Sequence, residues 1–287
     1  MIMNILKDYE RYLKLSRKSS ATIYQYLNDV KLFSKIAGRD FSACNKETLD
    51  LFLEVLIDRK YENSSIARKI ASMKCFYSFL MSKGVVKENP FFYAPKLKIA
   101  KKDLRVLSSE EVSKVTNVLY GYPETLEGRE TFCIFHVMYF LGLRVSEVAG
   151  LDVSSITSSP EKHLRFLGKG GKERLLPIVN EKLICSLDEW LEFRYRFPDV
   201  EALFISRNIQ RISVKTIQRW IKKLGRNSGL GDALTPHVLR RTFATHLLEK
   251  GADIFSVSDL LGHESIATTR RYAKVTPKKR KETLILL

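Results

Sequence analysis

Cysteine is scarce and scattered in this sequence. The four cysteines, at positions 44, 75, 133 and 185, form no C-x-x-C pair. That spacing indicates neither a zinc ligand set nor a disulfide framework, so each is expected to pack as a small apolar side chain. Long apolar runs are missing as well, and the N-terminus has no charged region followed by an apolar stretch. No signal peptide and no membrane span are therefore expected, and the cytoplasm is the default location. A polybasic amphipathic helix with a clean apolar face, which would bind anionic lipid, is also lacking, so no membrane partner is expected. The last deficit is in negative charge. Asp and Glu number 32 against 49 Lys and Arg, a formal net charge of +17.

The composition is otherwise that of an ordinary folded protein, 45% apolar and 28% charged. A chain of 287 residues favours two domains. Residues 1–100 carry 18 basic and 10 acidic side chains, and the remainder carries 31 and 22. Both parts are basic, which suits a protein that grips a polyanion from two sides, although a solvated basic surface reads the same way.

Apolar side chains recur at helical spacing through the first ninety residues. One helix is predicted over 2–15 with Ile5, Leu6, Tyr9 and Leu13 inward. A second starts at a Ser19 or Ser20 cap, runs through Ile36 and ends near Gly38. Asn45 caps a third, with Leu49, Phe52, Leu53 and Leu56 on one side. Ser64 or Ser65 caps a fourth, with Ile66, Ile70, Met73, Tyr77 and Leu80 inward and Gly84 closing it. The expectation is a small helical bundle over residues 1–93. Lys18, Arg68, Lys69 and Lys74 are expected outside its core, either on DNA phosphates or on a solvated face. Residues 94–107, charged and with little periodicity, read as a linker able to cross a phosphate backbone.

The second domain, 108–287, opens on the capping box Ser108-x-x-Glu111. Residues 131–141 read as a buried helix broken by Gly142, after which Arg144 needs a partner that Glu147 can supply. Over 163–179 the pattern turns to alternation, Leu164 and Phe166 and then Leu175, Pro177 and Val179, around Gly168-Lys169-Gly170-Gly171. That is a β-hairpin with a glycine-rich turn. Helices follow over 181–196, with Leu183, Leu187, Trp190 and Leu191, and from a Ser213 cap over 214–224. Lys215, Arg219, Lys222 and Lys223 form the polar side of the latter, a candidate DNA-facing helix, with a loop expected from Gly225 to Gly231. The fold class is therefore mainly α with a small β-sheet in the C-terminal domain (α+β).

Near the end, Thr235 and Pro236 open a helix on which His237 and Arg240, three apart, share a face. The run capped by Asp253 reaches Leu261, then Gly262-His263, and Arg270-Arg271-Tyr272 follows. Arginine holds planar oxyanions bidentately, and a phenol with an imidazole can act as nucleophile and proton acceptor.

The stretch resembles the catalytic core of the tyrosine recombinases, the phage integrase family. The family pattern H-x-x-R, L-G-H and a Tyr nine residues later is matched by His237-x-x-Arg240, Leu261-Gly262-His263 and Tyr272. Gly142-Leu143-Arg144-Val145-Ser146-Glu147 is similar to the first arginine motif, and Gly168–Arg174 to the hairpin with the catalytic lysine. Length and the lack of extra domains point to the Xer-type subgroup. The resemblance implies catalytic Arg144, Lys169, His237, Arg240 and His263, with Tyr272 as nucleophile, a 3′-phosphotyrosyl intermediate, and no need of ATP or metal. It also implies double-stranded DNA with paired half-sites as partner and a homotetramer on two sites. In that assembly the terminal Leu284, Ile285, Leu286 and Leu287 dock on the next protomer, although the same residues could fold back on their own domain. A DNA translocase is a candidate activating partner that the sequence itself does not reveal.

Other classes compete with this one. A non-catalytic DNA-binding protein would keep the basic surfaces but has no reason to hold all six polar positions. A metal enzyme using His237, His246 and His263 is disfavoured, because His246 falls nine residues after His237, on the opposite helical face. A type IB topoisomerase would share the Arg, Lys, His and Tyr chemistry, and a mobile-element integrase would differ in target alone.

Overall fold

Helical periodicity in the first part of the chain becomes α1 (Ile2–Leu15), α2 (Ser20–Ala37), α3 (Lys46–Asp58) and α4 (Asn63–Ser82). The computed structural model describes residues 2–38, 40–99, 104–122, 124–158, 161–168, 173–262 and 269. The chain divides into two compact units, Met1–Lys102 and Asp103–Leu287. In the first unit Ser19 caps α2, and Asn45 and Thr48 form a reciprocal box at α3. Helix α4 starts at Asn63, ahead of the Ser64 and Ser65 caps expected. The core is aromatic: Phe33 meets Phe52 and Phe91 edge-on at 5.1 and 5.3 Å, and Tyr9 and Phe76 pack beside them.

That core contains one charge cluster, which corrects the expectation for Lys69. Asp29 of α2 is buried, and a buried carboxylate must be paired. Arg68 holds it with two hydrogen bonds, at 2.6 and 3.0 Å, and the Lys69 ammonium sits 2.8 Å away. Burial alone would raise the Asp29 pKa, but the hydrogen bonds from Arg68 and Lys69 outweigh it and hold the carboxyl below its usual range. Lys69 is itself buried, over the Tyr61 ring at 5.1 Å, so it is not on a solvated face. Lys18 is exposed, and Lys74 is half-buried above Phe92.

The segment expected as a linker is anchored at its two ends. Ala94 and Leu97 pack on the helical core of the first unit, and the Lys98 carbonyl accepts from Asn63 at 2.9 Å. Leu107 is buried in the second unit. There its N–H donates to Thr242 at 3.0 Å and its carbonyl meets His246 Nε2 at 2.9 Å.

The second unit comprises α5 (Ser109–Tyr120), α6 (Leu126–Leu141), α7 (Val145–Ala149), α8 (Glu181–Arg194), α9 (Val214–Asn227), α10 (Pro236–Glu249) and α11 (Ile254–Leu261). Helix α6 is central, packed on α8, α9 and α10. A three-stranded antiparallel sheet joins β1 (Ile156–Thr157), β2 (His163–Leu167) and β3 (Glu173–Pro177) in that order. Leu164 pairs with Leu176, and Phe166 with Arg174. The buried side chains of β3 and its continuation are Leu176 and Ile178, whereas Leu175 and Val179 are exposed. The inward set is therefore one residue out of step with Leu175, Pro177 and Val179, and a one-residue slip exchanges the two faces of a strand. Helix α9 also departs from expectation by running through Gly225 to Asn227. Gly225 is there for close approach, since a Cβ would lie 2.7 Å from the Gly231 carbonyl and from Leu234 Cβ. Cys133 is buried as expected, Cys44 and Cys75 are half-buried, and Cys185 is exposed, contrary to expectation, on the solvent side of α8.

Helix α6 buries an imidazole and a carboxyl. Neither ring nitrogen of His136 has a partner among the described residues, and desolvation, then Lys182, lowers its pKa to about 4. Glu130 Oε1 accepts from the Ile205 N–H at 2.5 Å while Oε2 has no partner among the described residues, and burial raises its pKa to about 9. The signs are opposite. His136 contributes stability that is lost as pH falls from its unfolded value toward about 4. Glu130 contributes stability that is present below its unfolded value of 4.5 and lost as pH rises toward about 9. Glu130→Gln mimics the protonated carboxyl. It is expected to add about 3 kcal/mol to the unfolding free energy at pH 7 and to flatten the alkaline loss. Urea unfolding between pH 6 and 9 measures both, and a destabilised Gln variant would mean that the native carboxylate is ionised and paired.

Candidate active site

Three segments far apart in sequence bring guanidiniums to one carboxylate. Helix α6 ends at a left-handed Gly142, and the chain turns at once into α7. Glu147 occupies the third position of α7 and reaches back to its start. It accepts from the Arg144 backbone N–H at 2.6 Å and from Arg144 Nη1 at 2.7 Å. The partner expected from the spacing is the one the fold uses. Arg144 Nη2 also lies 3.3 Å from the Gly262 carbonyl, and about a third of the Arg144 side chain remains accessible, 29%.

The second guanidinium comes from α10. Thr235 caps this helix by accepting from the Val238 N–H at 3.2 Å, and Pro236 stands at its first position. Arg240 is 5% exposed. Its Nη1 donates to the Gly142 carbonyl at 2.6 Å and its Nη2 to the Leu261 carbonyl at 2.5 Å. These carbonyls stand at the C-terminal ends of α6 and α11, where backbone oxygens lack helical partners and the helix dipole favours a cation. Nη1 is also 3.8 Å from Glu147 Oε2. A buried guanidinium needs such company, and the same contacts fix its position.

The third was not assigned a role from sequence. Arg174 of β3 places Nη1 3.9 Å from Glu147 Oε1 and donates through Nη2 to the Leu260 carbonyl. Burial lowers its pKa; Glu147 opposes that effect and Arg144 adds to it. Arginine remains charged throughout the working range. Among the described residues, three guanidiniums thus face the carboxylate of Glu147, with Asp259 acting more weakly on Arg174, leaving a positive site suited to an anion.

His237 precedes Arg240 by three residues on the same helix and reaches the surface, with part of the side chain shielded from water. Partial burial lowers its pKa, and the charges of Arg241, Arg240 and Arg144 lower it further. The imidazole is consequently neutral near pH 7 and able to accept a proton. His246 is accounted for elsewhere, between the Leu107 carbonyl and the Tyr139 hydroxyl, the latter at 3.1 Å from Nδ1. Lys169, His263, Tyr272 and the terminal Leu284, Ile285, Leu286 and Leu287 lie outside the described residues. On α9, Lys215 and Arg219 are exposed and one turn apart, and Lys222 is paired with Asp232 at 2.9 Å. Lys223 is engaged with Glu127 at 2.9 Å.

Comparison with known proteins gives the same picture for both units. Residues 105–279 match the phage integrase family, and residues 6–84 match the family described as phage integrase, N-terminal SAM-like domain. The chain is 34% identical over 277 residues to the tyrosine recombinase XerC of Haemophilus influenzae (strain PittEE), spanning 94% of this chain and 92% of that protein. In fold it is similar to the XerH site-specific recombinase bound to difH substrate, with a TM-score of 0.72 at 22% identity over 92% of this chain and 78% of that one. It is likewise similar to a lambda integrase tetramer bound to a Holliday junction, with a TM-score of 0.75 at 19% identity over 95% and 77%.

Proposed function

This chain belongs to the phage integrase family as a Xer-type tyrosine recombinase, an enzyme class that cleaves and rejoins DNA, and we propose that it acts through the Glu147-centred cluster on a dif-like chromosomal site. The observation that carries the reading is the pair Arg144 and Arg240, held at the Glu147 carboxylate from two segments, with His237 one turn from Arg240 on the same helix.

In this reading a DNA phosphodiester enters beside the two guanidiniums, which stabilise the charge gathering on its non-bridging oxygens in the transition state. The phenol of Tyr272 attacks phosphorus and gives its proton to His237, with His263 assisting. The bond from phosphorus to the 5′ oxygen breaks, and Lys169 protonates that oxygen. The products are a 3′-phosphotyrosyl link and a free 5′-hydroxyl, and rejoining reverses the step, so the bond energy is retained. No metal or cofactor enters this scheme. Lys18, Lys74, Lys215, Arg219 and Lys222 are candidate phosphate contacts that position the duplex without reading its sequence. The tetramer seen for lambda integrase supports a tetramer here. Exchange of the Leu284–Leu287 tail between protomers, a translocase as activating partner and a cytoplasmic location complete the proposal.

Incubation with a nicked half-site library, followed by sequencing of the covalently trapped DNA, tests the target. The expected result is one enriched pair of inverted half-sites resembling a chromosomal dif site. Enrichment of mobile-element ends instead would assign the chain to integration.

A further inference from the structure

Arg174 belongs to the hairpin, yet its guanidinium serves α11. Nη2 donates to the Leu260 carbonyl and lies 3.4 Å from that of Asp259, and Nη1 lies 3.5 Å from that of Leu261. These are the last three carbonyls of α11, beyond the helix's own N–H donors; that of Asp259 also accepts from the Gly262 N–H at 2.8 Å. The guanidinium also rests 5.1 Å from the Phe166 ring, its cross-strand neighbour. Arg240 takes the Leu261 carbonyl at 2.5 Å. The end of α11 is therefore gripped by one arginine from β3 and another from α10.

The next residue bears the mark of this grip. Gly262 is left-handed at φ +61°, and a Cβ there would lie 2.7 Å from Arg174 Nη1 and 2.9 Å from its Cζ. Glycine is thus demanded by the conformation and again by the guanidinium stacked beside it. In sequence, Gly262 immediately precedes His263, and β3 follows the Lys169 segment.

We propose that Arg174 is a positioning residue for DNA cleavage, tying the strand after Lys169 to the turn before His263 so that both segments keep one register. The proposal rests on the roles given above to Lys169 and His263. Its side chain is 15% exposed and committed to backbone carbonyls, which separates it from a phosphate anchor. Lysine cannot substitute, because one ammonium on a flexible stem neither spans three carbonyls nor stacks on Phe166.

The test is a double-mutant cycle on covalent adduct formation with a half-site substrate, with folding checked by thermal unfolding. Arg174→Lys is expected to slow adduct formation at least about tenfold while half-site affinity stays within about twofold. In a His263→Ala background the same change is expected to slow it by a smaller factor than in the unsubstituted enzyme, because the part of its route that runs through His263 is already broken. Arg174→Gln, which still donates to a carbonyl, serves the same cycle should the lysine variant fail to fold. A normal rate in the folded variants, an equal loss of rate and affinity, or a fully multiplicative effect with His263→Ala would each overturn the proposal alone. Absence of adduct from the unsubstituted enzyme would overturn the parent reading and this one together.

Discussion

Arg240→Ala is expected to lower the rate of covalent adduct formation by about 10³-fold or more, since one lost transition-state donor costs roughly 2.7–4 kcal/mol and this donor is ionic. Its affinity for a half-site is expected to fall far less, because a site of many phosphate contacts loses only one. The structure adds a second consequence. Arg240 is 5% exposed and bonded to the Gly142 and Leu261 carbonyls, so its removal leaves two helix-end carbonyls without it. Breaking a buried charge arrangement costs about 3–5 kcal/mol, so the alanine variant is also expected to unfold at lower temperature. Arg144→Ala separates the two effects. Its side chain is 29% accessible and pairs with a carboxylate that Arg240 and Arg174 still face. It is therefore expected to lose catalysis on a similar scale with less loss of stability. Single-turnover cleavage, half-site titration and thermal unfolding on both variants decide this. Equal loss of binding and cleavage would make the two arginines ordinary phosphate anchors.

Much of the helical framework was legible because its signals are local. Asn45 with Thr48 and Ser108 with Glu111 are reciprocal caps within one turn, and the Gly142 stop is signalled by its own left-handed backbone, although a Cβ there would also lie 2.3 Å from the Phe243 ring. The pairing of Arg144 with Glu147 follows from a spacing of three. Readings that failed depend on distant partners. Lys69 is buried because Asp29, on another helix, requires a counter-charge. Gly225 continues α9 because the Gly231 carbonyl and Leu234 come close to it, whereas glycine by itself suggests a stop. Cys185 sits in an apolar stretch but faces outward.

The hairpin shows why Arg174 was overlooked. Leu175, Leu176, Pro177, Ile178 and Val179 are apolar at both parities, so alternation alone cannot choose the buried set. Choosing Leu175 and Val179 turns Arg174 outward with the solvent face of the wrong register. Pairing with Phe166 places it on the inner face, next to α11. Motif resemblance singled out Arg144, His237 and Arg240 as candidates for the site. That Arg240 and Arg174 meet the same carboxylate as Arg144 is a property of tertiary packing and had no local signal.

Tyr272→Phe bears most directly on the account as a whole. The proposed reaction joins DNA to one phenolic oxygen, and phenylalanine removes that oxygen while keeping the ring. The tyrosines nearest in role differ in their surroundings. Tyr139 bonds His246 through its hydroxyl, and burial raises its pKa, both of which oppose ionisation and attack. Tyr195 is 65% exposed and follows α8, away from the arginine cluster in sequence. The measurement is denaturing electrophoresis after incubation with a nicked half-site, together with half-site titration. Unsubstituted protein is expected to give a denaturation-resistant adduct. Tyr272→Phe is expected to give none above background, a loss of at least about 10³-fold, with affinity unchanged within about twofold. An undiminished adduct from Tyr272→Phe would contradict the account, placing the nucleophile on another side chain, with Tyr139 and Tyr195 the next to substitute.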